Sequence, residues 1–283
     1  MVDLAETNLH HLAEGHSERG AEAARQIWKR GRQAEDLVDP RTPAFARAVI
    51  EGLAAALASS PETIKEMMEN ALHAAADLNI GPFQGLVEVI QNADDLGATE
   101  VRFALREQGG SQQLLVVHDG LPVTCHHVLG MALPYLTTKT TRVDQRGRFG
   151  IGLKTLNRIA EAIAVHSAPY HFSGNQLSLA SLDPEPGLDA FYDPAADTLL
   201  VLDLKADFDE LALKEWFDAW EDDGLLFLGS VGHFRWCTIQ GKTIAAKTLI
   251  FESWQEAVFA SLNDGVSRII QRQVRSATRA WTV

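Results

Sequence analysis

The chain has 283 residues, of which 46% are hydrophobic and 22% charged, with a formal net charge of -13. That composition suits a globular protein with one large domain and an extension, or with two domains. The acidic balance argues against general binding to nucleic acid or to an anionic membrane, while leaving room for a local basic site.

The N-terminus, MVDLAETNLHHLAEGH, lacks a basic-then-apolar leader. No apolar run approaches the roughly 20 residues of a membrane span, so a cytoplasmic location is expected. Cys125 and Cys237 stand far apart and in no metal-ligand spacing, and read as free thiols of a reducing compartment. Residues 1–80 read as a helical extension. Gly20 to Leu37 is rich in helix formers and is broken by Asp39-Pro40 and Thr42-Pro43. Phe45 to Leu57 is Ala-rich and apolar, and Ser60-Pro61-Glu62 then opens a third helix.

A helical pattern follows from near Phe83 to the breaker Gly97. Glu88, Asn92 and Asp95 stand at i, i+4 and i+7 within it. At about 100° per residue they fall within roughly 60° of one another on one face. Leu86, Val87, Val89, Ile90 and Ala93 surround them with apolar side chains. Taken alone, this stretch reads equally well as the solvated face of a surface helix.

Thr99 to Leu105 alternates as a strand, Gln108 to Ser111 reads as a hairpin turn, and Gln113 to His118 is a buried strand. That strand presents Asp119-Gly120 at its end. Cys125-His126-His127 does not read as a metal site, because adjacent side chains point in different directions. From Lys139 to Lys154, five cations (Lys139, Arg142, Arg146, Arg148 and Lys154) face Asp144 alone. This local basic site suits a polyanion such as a triphosphate. Gly147-Arg148-Phe149-Gly150-Ile151-Gly152 then precedes a helical pattern from Leu153 to Ala164. Glycines before a helix let the backbone approach a ligand, and the free N–H groups there favour phosphate. The spacing is neither the dinucleotide fingerprint nor a Walker loop.

Further strands are expected at Ala162–His166, Gln176–Ala180, Thr198–Leu204 and His233–Gln240, with a helix at Asp209–Glu221. Trp216, Trp220 and Trp236 read as packing residues rather than a ligand cage. Arg268, Arg272, Arg275 and Arg279 stand at i, i+4, i+7 and i+11, so residues 246–283 read as a helical segment or connector with a cationic stripe.

Three signals therefore occur in order: Glu88-xxx-Asn92-xx-Asp95, Asp119-Gly120, and Gly147-xx-Gly150-x-Gly152. Their order resembles the GHKL ATPase superfamily, and the wording of VEVIQNADDLGATEV, TTKTTRVDQRGRFGIGLKT and LLFLGSVGHFRW is similar to its sacsin-type, heat-shock-protein-90-like branch. The resemblance spans residues 81–245. It implies an α/β (α+β) two-layer sandwich, the Bergerat ATP-binding fold. A mixed, mainly antiparallel sheet would be covered on one face by helices, with the N-terminal helical extension beside it. It implies that Asn92 binds Mg²⁺, that Asp119 accepts a hydrogen bond from the adenine amino group, and that Glu88 is the general base. Asp95 would support the site from the same face. Gly147, Gly150 and Gly152, with Arg148, Phe149, Ile151 and Leu153, would wrap the phosphates. Lys139 would belong to a lid over residues 137–149.

The resemblance implies Mg²⁺-dependent ATP binding and slow hydrolysis, coupled to lid closure in a chaperone-like or assembly change. Implied partners are ATP and ADP, a second copy on ATP binding, and a client protein or further domains of a longer chain. One departure stands out. The family's first glycine box continues Asp-x-Gly-x-Gly, whereas this chain reads Asp119-Gly120-Leu121-Pro122-Val123. That departure supports an alternative, a nucleotide-gated interaction module with negligible hydrolysis. A histidine kinase fits less well, since His10, His11 and His16 lie in no dimerisation helix and Glu88 suits water activation.

Overall fold

The computed structural model describes residues 39–63, 65–66, 70, 81–132, 152–175, 178–220, 222–260, 266–276 and 279–282. The expected helix over Gly20–Leu37, most of the third helix, and the stretch 133–151 lie outside these residues.

Helix α1 spans Pro43–Ala58. Thr42 caps it by accepting from the Phe45 amide, and Pro43 occupies the first turn, where its missing N–H costs nothing. Phe45, Val49, Ile50, Leu53 and Leu57 form its buried stripe, which packs toward strands β4 (Tyr170–Asn175) and β5 (Ser178–Ser181). Helix α2 spans Gln84–Asp95, with Leu96 as its C-cap, and Gly97 beyond it takes a φ of +73° that turns the chain.

Strands β1 (Glu100–Gln108) and β2 (Ser111–His118) form a hairpin. Its two-residue turn is Gly109-Gly110, both at positive φ, as such a tight turn requires. Helix α3 (Cys125–Ala132) follows, and a short 3₁₀ helix (Gly152–Arg158) leads into β3 (Ala160–Ser167). Strand β6 (Thr198–Leu204), helix α4 (Glu210–Ala219), β7 (His233–Cys237) and β8 (Thr243–Thr248) complete the main unit.

The result is a mixed α+β fold around an eight-stranded sheet of order β5-β4-β3-β6-β2-β1-β7-β8. Every neighbouring pair is antiparallel except β1 with β7, which run parallel. Phe103 of β1 meets Phe234 of β7 edge to face at 5.0 Å. Phe234 also touches Trp216, Phe217 and Trp220, so two of the three expected tryptophans pack around one ring. Trp236 packs on Phe217.

Both faces of the sheet centre are buried. Val101, Phe103, Leu114, Val116, Leu200 and Leu202 join the larger core with α1 and α2. Ala104, Leu115, Val117, Leu199 and Val201 form a smaller core beneath Phe191 and Tyr192, from the loop between β5 and β6. That loop is tied down by Arg102–Asp197 at 2.8 Å and Arg106–Glu185 at 2.6 Å. Burial on two faces explains why β2 and β6 are apolar runs rather than alternating strands.

Two expectations are corrected. The helix expected from Leu153 to Ala164 is a seven-residue 3₁₀ helix, and β3 begins at Ala160. Ile163 and Val165 prefer extended backbone, and β3 pairs with both β4 and β6. The helical segment expected in 246–283 is instead a three-stranded antiparallel sheet of β9 (Ile250–Ala260), β10 (Val266–Arg275) and β11 (Ala280–Thr282). The arginines at helical spacing are interleaved with Val266, Ile269, Ile270 and Val274, and β9 supplies β10 with a full ladder of partners.

Candidate functional site

Helix α2 buries Gly85, Leu86, Val89, Ile90, Ala93 and Asp94. At about 100° per residue these span roughly half of the helix circumference. Glu88, Asn92 and Asp95 occupy the other half and are half-buried. The stripe read from the sequence is therefore turned away from the core, on the side where a ligand could meet it. Two carboxylates and a carboxamide offer oxygen donors only, the donor type that a hard cation such as Mg²⁺ takes.

The other sequence signals reach this helix at its two ends. At the N-terminal end, Gly85 lies against Thr155 and Leu156 of the 3₁₀ helix that begins at Gly152. At the C-terminal end, the Leu121 amide donates to the Leu96 carbonyl at 2.9 Å. Gly120 sits so close that a Cβ would stand 3.1 Å from the Ala98 amide nitrogen and the Leu96 carbonyl. Asp119-Gly120 and the end of the glycine-rich stretch thus flank one helix, about 16 Å apart by its rise. Gly152 and Leu153 fall within the 3₁₀ helix. Lys139, Gly147, Arg148, Phe149, Gly150 and Ile151 lie outside the described residues.

Asp119 is anchored rather than loose. Its Oδ1 accepts from the amides of Thr99 at 2.8 Å and Glu100 at 2.9 Å, and its Oδ2 accepts from the Thr99 hydroxyl. Partial burial pushes this carboxyl up, but the bonds from Thr99 and Glu100 together outweigh it and hold the group below the usual carboxylate range. Next to it, His118 is buried, and its Nδ1 accepts from the Gly120 amide at 3.2 Å. Burial lowers the His118 pKa to about 4, against the pull of the Asp119 charge. A neutral imidazole therefore braces the turn that presents Asp119.

Sequence reasoning passed over Asp94 and Gly85. The Asp94 carboxylate accepts from three consecutive amides, those of Gly229, Ser230 and Val231, at 2.6 to 3.0 Å. Those amides belong to the LGSVG stretch between α4 and β7. The small residues Gly229, Ser230 and Gly232 were the available signal, because a run without bulk leaves successive N–H groups open to a carboxylate.

Cys125 and Cys237 are free and buried, and burial pushes the Cys125 thiol up to about 11. Among the described residues no group of three or more His, Cys, Asp or Glu side chains could hold a metal ion, and no helix is long and apolar enough to cross a membrane. No protein-family model matches this chain, and no curated protein matches it.

Proposed function

We propose that this chain is a Mg²⁺-dependent ATP-binding module of the GHKL kind, with slow hydrolysis, built on the two-layer Bergerat sandwich. One observation carries the reading. Helix α2, which carries the polar stripe, is met at its C-terminal end by Gly120-Leu121 and near its N-terminal end by the 3₁₀ helix that follows the glycine-rich stretch. Segments distant in sequence thereby converge on one helix.

The residues present fit the group they would hold. Asn92 would be an oxygen donor for Mg²⁺, with Asp95 beside it on the same face. Bound Mg²⁺ would supply charge neutralisation on the phosphates. Asp119, held ionised and fixed by Thr99 and Glu100, accepts from the adenine amino group. Glu88 orients the attacking water and takes its proton. By the resemblance, Gly147, Arg148, Phe149, Gly150, Ile151, Gly152 and Leu153 would wrap the phosphates, with Lys139 in the lid. Phosphoryl transfer asks the protein chiefly for position and charge, the two things these roles would supply.

A second reading keeps the binding and removes the turnover. It is favoured by the turn after Asp119, where Leu121 is 69% exposed in place of a family glycine. A large apolar side chain at the rim suits a covering partner, so nucleotide would gate an interaction with a client or a second copy. Calorimetry with ATP and Mg²⁺, run beside steady-state hydrolysis, tests both readings. Binding with turnover supports the ATPase, binding alone supports the gated module, and no binding overturns both.

A further inference from the structure

We infer that Asp94 is a positioning residue of the candidate nucleotide site, setting the rotation of α2 so that Glu88, Asn92 and Asp95 face the ligand. The inference rests on the ATP reading above. Asp94 is 9% exposed, on the flank of α2 away from the polar stripe. Its Oδ1 accepts from the amides of Gly229 at 2.8 Å, Ser230 at 2.6 Å and Val231 at 3.0 Å, and its Oδ2 accepts from Gly229 at 2.7 Å. Three fixed backbone donors leave the carboxylate one place to sit, and Asp94 has a short side chain. The helix cannot turn about its axis without breaking these bonds.

Electrostatics make the residue conspicuous. A carboxylate in the last turn of a helix opposes the helix dipole, and α2 has no basic residue there to relieve it. Asp94 and Asp95 both stand in that turn. Local helix energetics disfavour the pair, and the Gly229–Val231 amides supply the compensation for Asp94.

The leverage is geometric. A side-chain atom about 5–6 Å from the axis moves about 1 Å when the helix turns by roughly 10°. A displacement of that size at a reacting or ligating group costs on the order of 10²-fold in rate. Gly85 fixes the other end of α2 against Leu156, so the helix is pinned at both ends and its stripe is held between them.

The test titrates ATP with and without Mg²⁺ into the parent chain, Asp94→Asn and Val201→Ala. Val201→Ala loosens the smaller core on the opposite face of the sheet and serves as a control for lost stability. In Asp94→Asn the Mg²⁺-dependent gain in ATP affinity should shrink about 10-fold or more, while affinity without Mg²⁺ stays within about twofold. Val201→Ala should keep both values. Should Asp94→Asn fail to fold, Asp94→Glu keeps the charge, lengthens the arm by one methylene, and should show the same loss. A variant that keeps the parent's Mg²⁺ gain, or that loses affinity equally with and without Mg²⁺, overturns the positioning role and leaves the ATP reading standing. A parent that binds no ATP overturns the ATP reading itself, and the positioning role with it.

Discussion

Gly85 of α2 lies directly against the backbone of Leu156: a Cβ at Gly85 would stand 2.8 Å from the Leu156 amide nitrogen. The same Cβ would meet Leu156 Cδ2 and Thr155 Oγ1 at 2.8 Å. Only glycine lets the two helices approach this closely, so Gly85→Ala must push them apart. Overpacking of this kind costs about 1–3 kcal/mol, against a helix-propensity gain of about 1 kcal/mol. The variant is expected to unfold at lower urea and to bind ATP more weakly. An unchanged urea midpoint would show that the contact relaxes freely.

Glu88→Gln removes the proposed base while keeping the size and shape of the side chain. Turnover should fall by about 10²–10⁴-fold while ATP affinity is kept. Steady-state phosphate release measures the first and calorimetry the second. Equal turnover by mutant and parent would dismiss Glu88 as the base.

Asp119→Asn separates two roles of one carboxylate. One oxygen becomes an NH₂ that can no longer accept from Thr99 or Glu100, and the adenine contact is mispaired. ATP affinity should fall by about 1–3 kcal/mol, with a loss of folding stability beside it. Lower stability with unchanged affinity would mean that the carboxylate serves Thr99 and Glu100 alone.

The buried histidines predict sensitivity to acid. Burial lowers His118 and His166 to about 4 each, from 6.5. The folded pKa lies below the unfolded one, so the unfolded chain binds more protons in this window. Stability is therefore full above pH 6.5 and declines as pH falls toward about 4. For His118 the loss by the lower end is about 3 kcal/mol, and His166 adds in the same direction. Below that window Asp119, whose folded pKa is depressed, loses its own contribution as it protonates. Urea midpoints at neutral and mildly acidic pH should differ, and His118→Gln should flatten the difference. A flat profile in the parent would place neither histidine in the folded core.

Much of this was legible in order of residues. Thr198–Leu204 is a strand with the bounds its apolar run predicts, and Gly109-Gly110 marks the hairpin turn. The α2 stripe of Glu88, Asn92 and Asp95 follows from helical spacing alone, and its half-buried placement agrees with that pattern. At the C-terminus spacing misled. Arginines four and three residues apart imitate a helix face, while the β-branched residues between them find a partner strand in β9.

The sequence by itself determined which segments are apolar, which turn, and which polar side chains share a helix face, because those properties depend on neighbours a few residues away. Tertiary structure alone decided the rest. It set β7 parallel to β1, laid Phe191 and Tyr192 over the second face of the sheet, and closed the Gly229–Val231 amides on Asp94 from 135 to 137 residues away. Periodicity carries no record of such pairings. A buried carboxylate finds its donors only after distant segments have packed, and the free energy that selects them belongs to the assembled core.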